Sequence, residues 1–429
     1  MNNNNTTTTD TKGRCLVLLP LPFQGHLSPM LQLANILHSK GFSITILHTS
    51  FNSPNPNNYP HFNYVPIPDT SEANICVSSD DVGKVIRFMH DMNINLVDPI
   101  RGCLERLMSE DKGVACLITD AQWSCTQSVA EGLKLPRIVH RTSNISSFRS
   151  FAAYPASHDK GCVQSISDEE TKSKALVPGL EPLKVEALPK FHAYDAEVVS
   201  KVIERMVQAT KRAHAYFATS SSSLLEQDKT SLSWLNKYPP KSVLYVSFGS
   251  IVKIDESQFL DIAWGLANSK QPFLWVVRPR SIEGSKWLEP LPNGFLDRIV
   301  EGRGYIVKWA PQQDVLAHPA IGGFWTHNGW NSTLESICEG VPMICSPSFG
   351  DQIPNARHVS NVWKIGVELE HRFKRREIES AIKKVMVDDE GLQFRNKITD
   401  LKQTASFCLK KGGSSYSSLE DLVNYILSF

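Results

Sequence analysis

The sequence predicts an α/β protein built from two Rossmann-like, doubly wound domains that face each other across a cleft. Three observations predict it. Apolar runs of strand length alternate with helical segments, the βαβ rhythm of a parallel sheet. That rhythm occurs as two series, separated by a serine-rich stretch of linker composition. The length, 429 residues, suits two or three domains at ~100–200 residues each, and 41% hydrophobic with 21% charged residues is an ordinary globular composition.

The first series opens with the buried-strand signal Cys15-Leu-Val-Leu-Leu-Pro-Leu-Pro22. The loop Phe23-Gln-Gly-His26 follows, then a helix over Leu27–Ser39 with Met30, Leu31, Leu33 and Leu37 on its apolar face. Gly41 stops it, and Phe42–His48 forms the next strand. The Pro/Asn-rich stretch Ser53–Asp69 reads as irregular loop. The rhythm resumes with strand Ala115–Thr119, helix Trp123–Leu133 and strand Arg137–Arg141. Residues 150–195 are weakly patterned, and 196–214 read as helix. The second series has strands over Ser242–Ser247, Pro272–Val277, Tyr305–Lys308, Gly323–Trp325, Pro342–Ser346 and Gly366–Leu369. A final helix carries Ser417-x-x-Glu420, a capping-box pattern, ahead of Leu422, Val423 and Ile426. These readings divide the chain into a tail, 1–13, an N-terminal domain, 14–219, a linker, 220–241, and a C-terminal domain with its terminal helices, 242–429.

Composition excludes several function classes. With 45 Lys+Arg against 44 Asp+Glu, nothing electrostatic points to nucleic acid or an anionic membrane as partner. No apolar run approaches the ~20 residues of a membrane span. The tail MNNNNTTTTDTKGR lacks the features of a signal or transit peptide. Nine cysteines without a CxxC pair read as reduced thiols of a cytoplasmic protein, which argues against zinc sites and disulfide scaffolds. A dehydrogenase is disfavoured because no GxGxxG follows a strand. Neither a Walker A motif nor a GxSxG nucleophile elbow is present.

The most informative segment runs from Trp309-Ala-Pro-Gln-Gln-Asp314 through Gly322-Gly-Phe-Trp-Thr-His-Asn-Gly-Trp-Asn-Ser-Thr-Leu-Glu335 to Phe349-Gly-Asp-Gln352. Trp309 ends a strand at the carboxyl edge of a parallel sheet, where such folds bind ligands, and its indole face suits stacking on a nucleobase. His327 and Asn328 precede a helix opening near Gly329–Ser332. Its unpaired N–H groups and positive dipole end suit a diphosphate, and the Ser332 hydroxyl adds a donor. Glu335, one turn in, suits both ribose hydroxyls as an acceptor. Asp351 and Gln352 are placed to read sugar hydroxyls. Each residue alone has a plainer reading: Trp325 and Trp330 as core aromatics, Glu335 as a solvated helix residue, His318 as structural. The constellation is far more specific than its members.

From its first Trp to its last Gln, this segment matches the signature box of the plant family-1 UDP-dependent glycosyltransferases, and the chain resembles that family over nearly all of residues 14–429. The resemblance implies a GT-B fold and assigns roles residue by residue. Trp309 stacks on uracil, while the Ala310 backbone and Gln312 pair with its edge. Glu335 holds the ribose. His327, Asn331, Ser332 and, in the Phe248-Gly-Ser250 turn, Ser250 contact the diphosphate. Asp351, Gln352 and the Trp330 backbone bind the sugar. The terminal Gln favours UDP-glucose over UDP-galactose. No cofactor is implied, UDP-glucose being a co-substrate. No Asp-x-Asp motif occurs, which agrees with the family's metal-free habit. A monomer is expected.

His26 and Asp120 form the catalytic candidate. Both fall at carboxyl ends of strands, and if those strands are neighbours the side chains meet at the cleft. Imidazole is the natural base near neutral pH, and a carboxylate on its other nitrogen fixes the tautomer. The resemblance puts the family's base and its partner at these positions, and Thr142 at one that contacts the sugar 6-hydroxyl. Gly25 leaves room for the sugar, with a simple turn glycine as the plainer reading. The mechanism implied is an inverting displacement onto a hydroxyl or nitrogen of a small apolar metabolite, in the manner of plant enzymes acting on terpenoid, flavonoid, phenolic or cytokinin acceptors.

One departure stands out. In the family, the helix matching 196–214 leads into the domain's last strand and then a further segment. Here Ala213-His-Ala-Tyr-Phe-Ala-Thr runs almost directly into Ser220-Ser-Ser-Ser, several dozen residues short. A lost strand would expose a sheet edge. The alternative function that follows is a catalytically inactive UDP-sugar-binding relative, or a shortened splice or gene-model product.

Overall fold

The computed structural model describes residues 14–68, 82–110, 113–144, 147–153, 196–213, 215–218, 228, 230–295, 303–369 and 373–429. The expected tail, most of the weakly patterned 150–195 region and the serine-rich first part of the linker lie outside the described residues.

The first domain is a parallel sheet of β1 (Cys15–Leu19), β2 (Ser43–His48), β3 (Asn63–Pro66), β4 (Val114–Asp120), β5 (Arg137–Arg141) and β6 (Ala215–Ala218), in the order β3-β2-β1-β4-β5-β6. Its helices are α1 (Gln24–Ser39), α2 (Val82–Asn95), α3 (Val97–Ser109), α4 (Thr126–Gly132) and α5 (Ala196–Arg212). After the short helix α6 (Thr230–Leu235), the second domain repeats the plan. Strands β7 (Val243–Ser247), β8 (Phe273–Val276), β9 (Gly304–Val307), β10 (Ile321–Thr326), β11 (Met343–Cys345) and β12 (Gly366–Glu368) lie in the order β12-β11-β10-β7-β8-β9. Helices α7 (Glu256–Ser269), α8 (Gln312–Ala317), α9 (Trp330–Glu339), α10 (Gln352–Arg357), α11 (Arg375–Met386), α12 (Asp389–Leu409) and α13 (Ser414–Leu427) complete it.

Both sheets therefore have one topology, with the strand order reversing between β1 and β4 and again between β7 and β10. In such sheets the crevice at the reversal, beyond the carboxyl ends, is where ligands bind. The central strands are covered on both faces. All five residues of β1 and all five of β7 are buried, which is why they read as continuous apolar runs. Each sheet packs one core on either side: Val17 and Leu19 face one, Leu16 and Leu18 the other.

Four sequence expectations change. The strand β3 and a 3₁₀ turn at Pro56–Asn58 lie within the stretch expected to be irregular; β3 is a short, largely uncovered edge strand whose Asn and Pro residues hid it. His26 lies in the first turn of α1, not in a loop before it. The last strand of the first domain is not lost, because Ala215–Ala218 pairs in parallel with Ile138–Arg141 as β6. Finally, α13 begins at Ser414 with Gly413 as its cap, so Ser417 sits inside the helix and not at a capping box.

Helix α13 also leaves the domain to which the sequence assigned it. Its Leu422, Val423 and Ile426 pack with Leu16, Leu18 and Leu31 of the first domain. Arg14 donates to the carbonyls of Ile426 and Phe429, and Glu420 pairs with Lys40 of α1. The chain's end thus straps the two halves together. Among the described residues no helix is long and apolar enough to cross a membrane, and the seven cysteines are all free.

Candidate active site

The two reversal crevices open into one cavity of about 500 Å³ between the domains. Every residue given a catalytic or donor-binding role from the resemblance lines it except Ala310, which is buried.

On the first domain's side, β1 and β4 are hydrogen-bonded neighbours, as the pairing of His26 with Asp120 requires. His26 Nδ1 lies 2.8 Å from Asp120 Oδ2 and 3.1 Å from Thr142 Oγ1, which leaves Nε2 on the opposite edge of the ring. Asp120 is 1% exposed, and its Oδ1 accepts from the Gln122 N–H at 2.9 Å. The carboxylate is thereby fixed from both sides. Burial works against charge on His26, but the adjacent Asp120 charge and hydrogen bond outweigh it and hold the imidazole above its ordinary value. Burial works likewise against ionised Asp120, and the His26 charge, its hydrogen bond and the Gln122 N–H hold the carboxyl below the usual range. Such a pair is a base held in one tautomer and one orientation. Behind it, burial pushes His140 down to about 4, so the adjoining β5 imidazole is neutral.

On the second domain's side, α9 opens on the cavity. Its cap is Gly329, no side chain caps it and no acid lies in its first turn, so its N–H groups are available to an anion. His327 packs against the turn after β7: a Cβ at Gly329 would lie 2.7 Å from its Nε2, and one at Gly249 would collide with the ring. Gly249 also has φ +71°, where glycine is favoured. Arg278, which the sequence reading did not single out, closes this turn. Its Nε donates to the Gly249 carbonyl at 2.6 Å and its guanidinium also reaches the Val252 carbonyl, bracketing Ser250.

Gln312, expected at a base edge, instead organises its neighbours here. Its Nε2 donates to Ser332 Oγ at 3.0 Å and to Glu335 Oε2 at 2.7 Å. Gln313 donates to the other Glu335 oxygen at 3.3 Å, so both carboxylate oxygens are oriented by amides. Burial pushes Glu335 up to about 7. Asn331 donates to the Gly25 carbonyl at 2.9 Å across the cleft. A Cβ on Gly25 would meet only Asn331 Nδ2, at an ordinary 3.6 Å, so it is the carbonyl of Gly25 that this wall uses. Gln352 Oε1 accepts from the N–H groups of Ser348 and Phe349, holding that side chain at the start of α10. Asp351 is raised by burial, opposed by a 3.1 Å hydrogen bond from Asn355 and by the nearby His26. Trp325 is a core residue, as its plainer reading had it, whereas Trp330 lines the cavity.

A family model described as UDP-glucoronosyl and UDP-glucosyl transferase matches residues 226–402. UDP-glycosyltransferase 76B1 of Arabidopsis thaliana is 47% identical over 447 aligned positions, covering 96% of this chain and 98% of the relative. The chain belongs to the plant family-1 UDP-glycosyltransferases. UDP-glycosyltransferase 76G1 of Stevia rebaudiana is 45% identical over 462 positions, covering 99% of both chains. Both alignments are longer than the 429 residues of the chain, so these UDP-glycosyltransferases carry residues with no counterpart here. Among solved structures, a UDP-glucosyltransferase from Polygonum tinctorium capable of glucosylating indoxyl superposes with a TM-score of 0.81 at 26% identity, covering 97% of this chain and 99% of that one. Phytolacca americana UGT2, complexed with UDP-2-fluoro-glucose and pterostilbene, gives 0.79 at 27%, covering 96% and 99%. The architecture is thus the GT-B fold of plant UDP-glycosyltransferases.

Proposed function

We propose that this UDP-glycosyltransferase moves glucose from UDP-glucose, with inversion and without a metal ion, onto a hydroxyl or nitrogen of a small apolar acceptor. One observation carries the reading: a buried-carboxylate–histidine pair and an uncapped helix N-terminus face each other across a single cavity. Uridine lies against Trp309, with Glu335 on the ribose and the diphosphate at Ser250, His327, Asn331, Ser332 and the α9 N-terminus. Glucose then lies between Asp351, Gln352 and Thr142, toward His26. The acceptor enters over an apolar wall that includes Phe23, Ile86, Met89, Ile203 and Met206.

In the step itself, His26 Nε2 takes the acceptor's proton as the acceptor oxygen or nitrogen attacks the anomeric carbon. The bond from that carbon to the diphosphate oxygen breaks, and UDP leaves with the electron pair. Asp120 stabilises the imidazolium; the α9 N–H groups and His327 meet the charge growing on the leaving group.

The Polygonum tinctorium enzyme glucosylates indoxyl, and one Arabidopsis thaliana relative is a flavonol 3-O-glucosyltransferase; both support a planar or apolar acceptor. The test is UDP release from UDP-glucose with purified protein, no added metal, and a panel of phenolic and terpenoid acceptors. Acceptor-dependent release is expected. A folded protein that binds UDP yet releases none with any acceptor would overturn the reading and leave the inactive alternative.

A further inference from the structure

The amide of Asn355 connects three parts of the molecule. Asn355 lies on α10 and is fully buried. Its Nδ2 donates to the Asn328 carbonyl at 2.9 Å, in the loop that leads from His327 into α9, and to Asp351 Oδ2 at 3.1 Å. Its Oδ1 accepts from Asn144 Nδ2, which belongs to the first domain, just after β5 and Thr142. A carbonyl and a carboxylate accept only, so the amide is locked with its nitrogen toward them, and Asn144 must present its own nitrogen. Both N–H groups and the oxygen are used.

We propose that Asn355 is a positioning residue for glucosyl transfer: it orients the carboxylate of Asp351 and, through Asn144, ties that orientation to closure of the two domains. This inference rests on the reading of Asp351 as a sugar-binding group. Asp351 acts electrostatically on His26, and it sits where burial disfavours its charge. The donor hydrogen bond from Asn355 is what keeps an ionised acceptor pointing one way in a poorly solvated wall. Because the same amide accepts from Asn144, opening of the cleft breaks one of its bonds and slackens the other two. The sugar side is thus fully set only with the acceptor domain in place.

The test compares Asn355→Ala, Asn144→Ala, the double variant and Asp351→Asn with the parent. It reads kcat and KM for UDP-glucose, Kd for UDP, and the pH dependence of kcat/KM. Asn355→Ala is expected to lower kcat/KM for UDP-glucose about tenfold or more, with Kd for UDP changed by no more than about threefold. Its acid limb, which His26 and Asp351 shape together, should move to higher pH, because Asp351 loses a hydrogen bond that favours its charge while His26 and Arg141, which also favour it, are unchanged; a purely structural loss would not move that limb. Asn144→Ala, which leaves both donated bonds of Asn355 intact, should cost about threefold, and the double variant should be no worse than Asn355→Ala, since the two act through one group. Parental kinetics and an unmoved limb in Asn355→Ala, beside an impaired Asp351→Asn, would overturn the proposal while leaving the function intact. Parental UDP-glucose turnover in Asp351→Asn would remove the sugar-binding assignment and the proposal with it. If Asn355→Ala loses UDP binding through misfolding, Asn144→Ala decides: full activity there, or losses that add in the double variant, overturns the coupling.

Discussion

Replacing Asp120 by Asn tests the catalytic pair with almost no change in shape. In the parent, Oδ1 accepts from the Gln122 N–H at 2.9 Å and Oδ2 faces His26 Nδ1 at 2.8 Å. An asparagine amide has one oxygen, and the Gln122 N–H requires it. The NH₂ group must then face Nδ1, which becomes an acceptor, and the ring's proton moves to Nε2. A protonated Nε2 has no lone pair with which to take the acceptor's proton. Loss of the correct tautomer costs ~10³–10⁴ in kcat, about 4–5.5 kcal/mol of barrier at ~1.36 kcal/mol per decade. The pH profile should change as well. His26 works as a neutral base, so the parent's activity rises with pH through a value above its ordinary 6.5. Without the Asp120 charge and hydrogen bond, burial and Arg141 oppose the imidazolium with only Asp351 left to favour it, and the residual activity should have its acid limb shifted downward. Stability follows the same pair with opposite slopes. Protonated His26 stabilises the fold fully below 6.5, and this is lost as pH rises through its raised value; ionised Asp120 stabilises it above 3.8, and this is lost as pH falls through its lowered value. The pair therefore contributes most between those limits, and Asp120→Asn should flatten thermal stability across them. UDP release assayed across neutral pH, with Tm measured in the same buffers, checks both. A kcat within tenfold of the parent and an unmoved acid limb would refute the assignment.

Three other changes probe the donor side. Gly249→Ala places a Cβ against the His327 ring at a backbone of φ +71°, and Kd for UDP should rise about tenfold or more by titration calorimetry; an unchanged Kd would detach His327 from the diphosphate. Gln352→Ala should reduce UDP-glucose turnover far more than affinity for UDP itself, and equal losses in both would remove its sugar-reading role. Glu335, pushed up to about 7 by burial, gains its charge as pH rises through neutrality, so UDP should bind more tightly at higher pH. Glu335→Gln should abolish that slope, and the same slope in both proteins would place the titrating group elsewhere.

The parts of this molecule that were legible in its sequence are those where local chemistry and tertiary demand coincide. Strands β1, β7 and most of β4 are buried on both faces, so their apolar runs had a single reading. The pairing of His26 with Asp120 was legible as a condition, that their strands be neighbours, together with the family resemblance, and the pairing of β1 with β4 meets that condition. Elements whose residues serve a local pattern and a distant partner at once were harder. Helix α13 shows a capping-box spelling at Ser417, yet Glu420 is spent on Lys40 in the other domain, and the helix starts three residues earlier. The resemblance implies a base-edge role for Gln312, and its amide also holds Ser332 and Glu335, which its sequence position does not show. Arg278 carried no signal because its partners are backbone carbonyls, and Asn355 carried none because two of its three partners, the Asn328 carbonyl and Asn144, lie far away in the chain. The short strand β6 follows the same logic. The family's longer run is absent, but an open edge beside β5 accepts any extended backbone of suitable length, since ladder hydrogen bonds are sequence-blind. Four residues supply that backbone directly after α5. That is why a chain shorter than its relatives still closes the sheet on which Thr142, Asn144 and the catalytic pair are carried.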